Sequence, residues 1–147
     1  MIFLATFVTP YNQHYLIMQK LGWFFLFTLL ATSCAPTWIN GSWEGTGTQI
    51  DGNTWEVELL AKMSEGYEIS YPDLSCGGVW DLTDASMLKI QFRENIEYGQ
   101  ENCDQGVEVR VKRLSRERIL VTYWIRSMYP DQPIAEAVLR KVQELPE

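Results

Sequence analysis

The segment "MLKIQFRENIEYG", residues 87–99, alternates apolar and polar side chains with a period of two. Leu88, Ile90, Phe92, Ile96 and Tyr98 share one face, and Lys89, Gln91, Arg93, Asn95 and Glu97 share the other. A helix would scatter these residues around its circumference, whereas a strand sends successive side chains to opposite faces, so the pattern calls for a half-buried β-strand. The same pattern recurs along the chain. "TWEVELLAK" sets Trp55, Val57 and Leu59 against Glu56 and Glu58, and "GYEISYP" sets Tyr67, Ile69 and Tyr71 against Glu68 and Ser70. "GVEVRVKRL" sets Val107, Val109 and Val111 against Glu108, Arg110 and Lys112.

The remaining segments fill out a meander. "SWEGTGTQI", from Ser42, precedes the Asp51-Gly52 hairpin signal, and "GGVWDLT" supplies a strand after Cys76. "RILVTYWIR" is apolar nearly throughout, as a strand covered on both faces would be. "PIAEAVLRKV" fits a closing strand, although Ile134, Ala137, Val138, Val142 and Leu145 also make a helical stripe. The expectation is an all-β domain over residues 42–143, an antiparallel meander of seven or eight strands forming a small closed barrel or a sandwich.

Composition narrows the partners. The chain has 147 residues and a formal net charge of -7, with 46% hydrophobic residues, which suits one domain with one core. An acidic chain with no Lys/Arg run lacks the means of holding phosphate backbones, so nucleic acid is not an expected partner. The basic group at 110–118, "RVKRLSRER", is interleaved with apolar and acidic residues and reads as an exposed strand and hairpin. A monomer is expected.

The front of the chain has a different character. "LGWFFLFTLL", residues 21–30, would be about 15 Å long as a helix, half of the roughly 30 Å of a hydrocarbon core. It suits the apolar centre of a secretory signal, with Lys20 as its positive flank and Ala31, Thr32 and Ser33 as the small residues before a cut. Residues 18–33 are therefore expected to be a signal peptide starting at Met18, and residues 1–17 to lie upstream of the true start.

"LLATSC" at 29–34 resembles the lipobox of bacterial lipoproteins, in which a peptidase cuts before a cysteine that becomes the lipidated first residue. Ala31 stands where that pattern has Leu, which keeps ordinary secretion after Ser33 as an alternative. The resemblance implies that Cys34 is the lipidation site and that residues 34–41 form a lipidated Cys and short tether. Cys76 and Cys103 then remain as a pair able to bridge in an oxidising compartment. The implied location is the bacterial cell envelope, lipid-anchored on the extracytoplasmic side.

The only histidine, His14, precedes this signal, so the mature chain would hold no imidazole. Ser-His-Asp, Cys-His and His/Cys zinc chemistry are then closed to it, and only carboxylate catalysis or a hard-cation site of oxygen ligands stays open. No Gly-rich phosphate loop or EF-hand spacing is present, and no cofactor or metal is expected.

"YPDLSCGG", residues 71–78, followed by "FRENIEYG", residues 92–99, and then by Cys103 and Gly106, resembles a recurrent pattern of bacterial extracytoplasmic domains. That resemblance implies a bridged Cys76–Cys103 pair. "NGSWEG" at 40–45 is similar to the Gly-x-Trp opening of lipocalin-type barrels, which implies a calycin-like barrel with Trp43 packed against a late Arg, here Arg140.

Glu94 is the sharpest candidate for a functional group. Alternation puts its carboxylate on the apolar face, where it costs several kcal/mol unless paired or protonated. It calls for an internal partner such as the Tyr71 or Tyr123 hydroxyl, or serves as the polar anchor of a bound molecule. Trp43, Tyr71, Trp80 and Tyr123, with Trp55, Tyr67, Tyr98 and Trp124, are the aromatic candidates for lining a pocket for a small apolar or sugar ligand; their alternative role is to fill the core. Asp73, Asp81, Asp84 and Asp104 lack cation-site spacing and read as turn formers. The expected function is a cell-envelope lipoprotein whose β-barrel acts as a ligand-binding or accessory module, with no catalytic residue assigned. The alternatives are a carboxylate-type hydrolase using Glu94, or an inhibitor-like module that engages an envelope protein through the 97–106 loop.

Overall fold

The computed structural model describes residues 36–143. They form an eight-stranded antiparallel meander closed into a barrel. The strands are β1 (Gly41–Gln49), β2 (Thr54–Lys62), β3 (Gly66–Tyr71), β4 (Cys76–Ala85), β5 (Lys89–Tyr98), β6 (Glu108–Arg113), β7 (Arg118–Trp124) and β8 (Ala135–Gln143). Each pairs with the next in sequence, and β1 closes on β8 with Gly45 opposite Leu139 and Gly47 opposite Ala137. Closure pairs both edges that an open sheet would leave exposed. The barrel resolves the choice between barrel and sandwich, and the segment after Pro133 is a strand.

Alternation sends one side chain in two to the interior. Val57, Leu59, Ile69, Ile90, Phe92, Ile96, Val109, Val111, Ile119, Val121 and Leu139 are all buried there. One end is plugged. A 3-10 turn at Thr37–Ile39 tucks the fully buried Ile39 beneath the barrel, and the Trp43 indole N–H donates to the Ile39 carbonyl at 2.7 Å. The Lys141 ammonium lies 5.1 Å from the Trp43 ring centroid, a cation–π contact.

That contact corrects the expected Trp43–Arg140 pair. Leu139 points inward, so alternation turns Arg140 outward, opposite Glu44, and brings Lys141 to the inner face opposite Trp43. Two further expectations fail at strand ends. Leu88 precedes the first residue of β5 and is 60% exposed in the turn. Tyr98 is 52% exposed because the β4–β5 ladder shifts between Gly77 and Gly78, pairing them with Tyr98 and Ile96 and leaving Glu97 as the extra residue. This bulge turns Tyr98 outward, where its hydroxyl donates to Ser70 Oγ at 3.3 Å. Gly78 permits the close approach at that point, since a Cβ there would lie 2.0 Å from the Asn95 carbonyl oxygen.

β7 also departs from the reading of a strand covered on both faces. Ile119, Val121 and Tyr123 are buried, while Leu120, Thr122 and Trp124 are only half-buried on the outside. Trp124 is covered there by charge rather than by a second layer: the Arg110 guanidinium lies 4.2 Å from its ring centroid and that of Arg126 lies 5.8 Å away. Glu108 holds both arginines, at 2.6 Å and 2.9 Å.

Candidate functional site

The end opposite the plug is open. The β1–β2, β3–β4, β5–β6 and β7–β8 connections gather there around a pocket of about 370 Å³. Its wall is aromatic and apolar, made by Trp55, Tyr71, Leu74, Val107, Tyr123 and Ile134, and its rim carries Gln49, Asn53, Asn102 and Asp104. A pocket of this size with an apolar wall and a few converging polar groups is the ordinary form of a small-molecule site.

Glu94 is the buried charged residue among the described residues, only 4% exposed. β5 carries it inward between Phe92 and Ile96, and its backbone is fixed by ladder-like bonds to the following loop, from its N–H to the Val107 carbonyl at 2.9 Å and from the Gly106 N–H to its own carbonyl at 3.1 Å. Trp80, its cross-strand partner on β4, donates its indole N–H to Glu94 Oε1 at 2.9 Å. The Tyr71 hydroxyl, from the end of β3, donates to the same oxygen. Both bonds converge on Oε1. Among the described residues none reaches Oε2, and the side chain forms part of the pocket wall.

The Tyr123 hydroxyl stands 3.4 Å from that of Tyr71. Trp55, Tyr71 and Trp80 meet the Tyr123 ring edge-on, with centroids 6.2, 6.3 and 6.5 Å away. Burial raises the Glu94 carboxyl above its ordinary pKa; the Tyr71 and Trp80 hydrogen bonds oppose this rise and the negative charge of Asp104 adds to it. Burial likewise holds the Tyr71 and Tyr123 phenols protonated, with the charge of Glu94 acting in the same direction. Both hydroxyls therefore remain donors.

The disulfide shapes the rim. Cys76 opens β4 and bonds to Cys103 in the β5–β6 connection, with Cα atoms 6.3 Å apart, and so draws Asn102 and Asp104 over the mouth of the pocket. Gly47 shapes the wall, because a Cβ there would lie 2.6 Å from the Trp55 indole. Its missing side chain is the space that Trp55 occupies.

Of the residues singled out from sequence, Glu94, Tyr71 and Tyr123 meet at the pocket, and Trp80 stands behind them as a donor to Glu94. Trp43 lies at the plugged end and Arg140 on the outer surface. Cys34 falls outside the described residues, as do the segments assigned to the upstream extension and the signal peptide. Trp55, also an aromatic candidate from sequence, lines the pocket, whereas Asn102 and Asp104 were not assigned to one; these loop residues carry no local signal of where the disulfide draws them. Among the described residues no three acidic, His or Cys side chains come together to hold a metal ion.

No protein-family model matches the chain, and no curated protein matches it. Among solved structures it is similar to a redesigned β-barrel, b11L5F_LGL, with a TM-score of 0.51 and 12% identity over 76% of this chain and 98% of that one. It is also similar to EF1p2_mFAP2b, a structure bound to DFHBI, with a TM-score of 0.50 and 13% identity over 71% of this chain and 94% of that one. At these identities the likeness is one of fold.

Proposed function

We propose that the domain is a small-molecule-binding module that holds its ligand in the open end of the barrel, with Glu94 as the polar anchor. One observation carries this reading: a carboxylate deep in the barrel takes both of its protein donors on Oε1 and presents Oε2, which no described side chain bonds, to the adjoining pocket. Among the described residues the buried side-chain polar atom without a partner is Trp38 Nε1 and not Glu94 Oε2, so this oxygen is accessible from the pocket and can meet a ligand there. EF1p2_mFAP2b, which shares the barrel fold, holds DFHBI, so a barrel of this architecture accommodates a small ligand.

The reading extends to location. A disulfide suits an oxidising, extracytoplasmic compartment. Lipidation at Cys34 would tether the module to the bacterial envelope through a few residues that enter the barrel at the plugged end, beside Ile39. The pocket mouth, at the other end, would then face away from the bilayer.

Tryptophan fluorescence provides the test, since Trp55 lines the pocket and Trp80 touches its anchor. Titration of the oxidised protein with a panel of small aromatic compounds should give saturable emission changes that Trp55→Phe reduces. A panel that leaves the emission unchanged while the barrel is folded would refute the binding role.

A further inference from the structure

We propose that the pocket selects small organic amines, with the protonated amine seated against Glu94 Oε2 among the rings of Tyr71, Tyr123 and Trp55. The inference rests on the small-molecule reading above and specifies the chemistry of the ligand.

The charges facing the pocket are all of one sign. Glu94 from β5 forms its floor and Asp104 from the β5–β6 connection stands at its rim, while among the described residues no Lys, Arg or His lines it. The other titratable groups there are the Tyr71 phenol from β3 and the Tyr123 phenol from β7; Cys103 is committed to the disulfide, and β4 contributes the neutral Trp80. A carboxylate ligand would meet two negative charges with no cation to offset them, in a site where water screens poorly. An ammonium meets the opposite situation. It supplies donors to the pocket-facing oxygen that no described side chain bonds, and it neutralises a charge whose burial is unfavourable.

The aromatic wall suits the same ligand. Ring faces attract cations within about 6 Å of their centroids, and three rings border this space. Tyr71 and Trp80 both donate to Oε1, and this leaves Oε2 to accept a bond from the ligand. With the carboxyl protonated, that oxygen would carry the proton and the amine would lose its partner. Binding of an amine therefore strengthens as pH rises through the Glu94 pKa, whereas a neutral ligand of the same shape, with no charge to pair, gains much less.

Three probes of one shape separate this proposal from the reading beneath it: phenethylamine, 2-phenylethanol and 3-phenylpropionate, titrated calorimetrically into the oxidised full-length protein. The amine should bind about tenfold or more tightly than the alcohol near neutral pH, as expected for a hydrogen bond to a charged group, and the carboxylate should bind weakest. Its advantage should shrink toward acid pH in the unaltered protein and disappear in Glu94→Gln, with alcohol binding retained to show an intact pocket. An alcohol or carboxylate that binds as tightly as the amine, or an amine affinity flat across that pH range, overturns the amine proposal and leaves the binding pocket standing. Failure of all three to bind overturns both.

Discussion

Trp80 and Glu94 are directly opposed in the β4–β5 ladder, and the Trp80 indole N–H donates to Glu94 Oε1 at 2.9 Å across it. The pair places a hydrogen-bond donor and a buried carboxylate on the same inner face by strand register alone. Tyr71 adds a second donor to the same oxygen from β3.

Stability should respond to the ionisation of Glu94. Its folded-state pKa is raised by burial, more than the Tyr71 and Trp80 bonds offset, so the folded protein holds this proton more tightly than the unfolded chain, where Glu titrates near about 4.3. The group favours the folded state most below that unfolded value, and the benefit is lost as pH rises through the folded pKa. Urea unfolding over a pH series should show Glu94→Gln gaining on the native protein across this interval, by about 1.4 kcal/mol for each unit separating the two pKa values. Glu108 has the opposite sign, because hydrogen bonding from Arg126 lowers its pKa.

Tyr71→Phe removes a donor from a buried carboxylate and should cost about 1–3 kcal/mol in denaturant unfolding. Tyr123→Phe should cost less than about 1 kcal/mol, since among the described residues the hydroxyl it loses bonds that of Tyr71, at a long 3.4 Å. Equal losses for the two variants would contradict the assigned network.

Gly47→Ala places a methyl group where the Trp55 indole now lies, 2.6 Å from its ring. Trp55 must shift, at a cost of about 1–3 kcal/mol for overpacking. The pocket wall moves with it, so ligand affinity should fall along with the melting temperature.

Breaking the disulfide opens a loop with a sequence separation of 27 and should cost about 3.5 kcal/mol on chain-entropy grounds. Reduction should also free the segment holding Asn102 and Asp104 from the pocket rim. Hydrogen exchange in the β5–β6 connection should accelerate more than in β7, and an even acceleration over the whole barrel would argue against a local role.

Cys34→Ser tests the anchor. It should move the protein from the membrane fraction to the soluble one, and a variant that remains in the membrane fraction would argue against lipidation at that position.

Much of the barrel was legible because a period of two is a local property: the inward sets of β2, β3, β5 and β6 follow from alternation, and so does the awkward inward placement of Glu94. Depth along the barrel is not local. Trp43 and Tyr123 look alike as inward aromatics, yet the closing β1–β8 register puts one at the plug and the other at the pocket. Tyr98 was misplaced because one extra residue at the Gly77–Gly78 bulge reverses the face of the residue beyond it. Arg140 was off by one residue for a similar reason, since a contact on the inner face of β8 needs the parity of Lys141. Asp104 reaches the pocket through a covalent link to Cys76, which no pattern around residue 104 encodes.

The most direct measurement is native mass spectrometry of the oxidised protein as purified from its host, beside Glu94→Gln. A bound small molecule on the native protein, absent or much depleted on the folded variant, is the predicted result. An equal added mass on both proteins, or a bare native protein that also fails to bind added small molecules, would contradict a pocket anchored on Glu94.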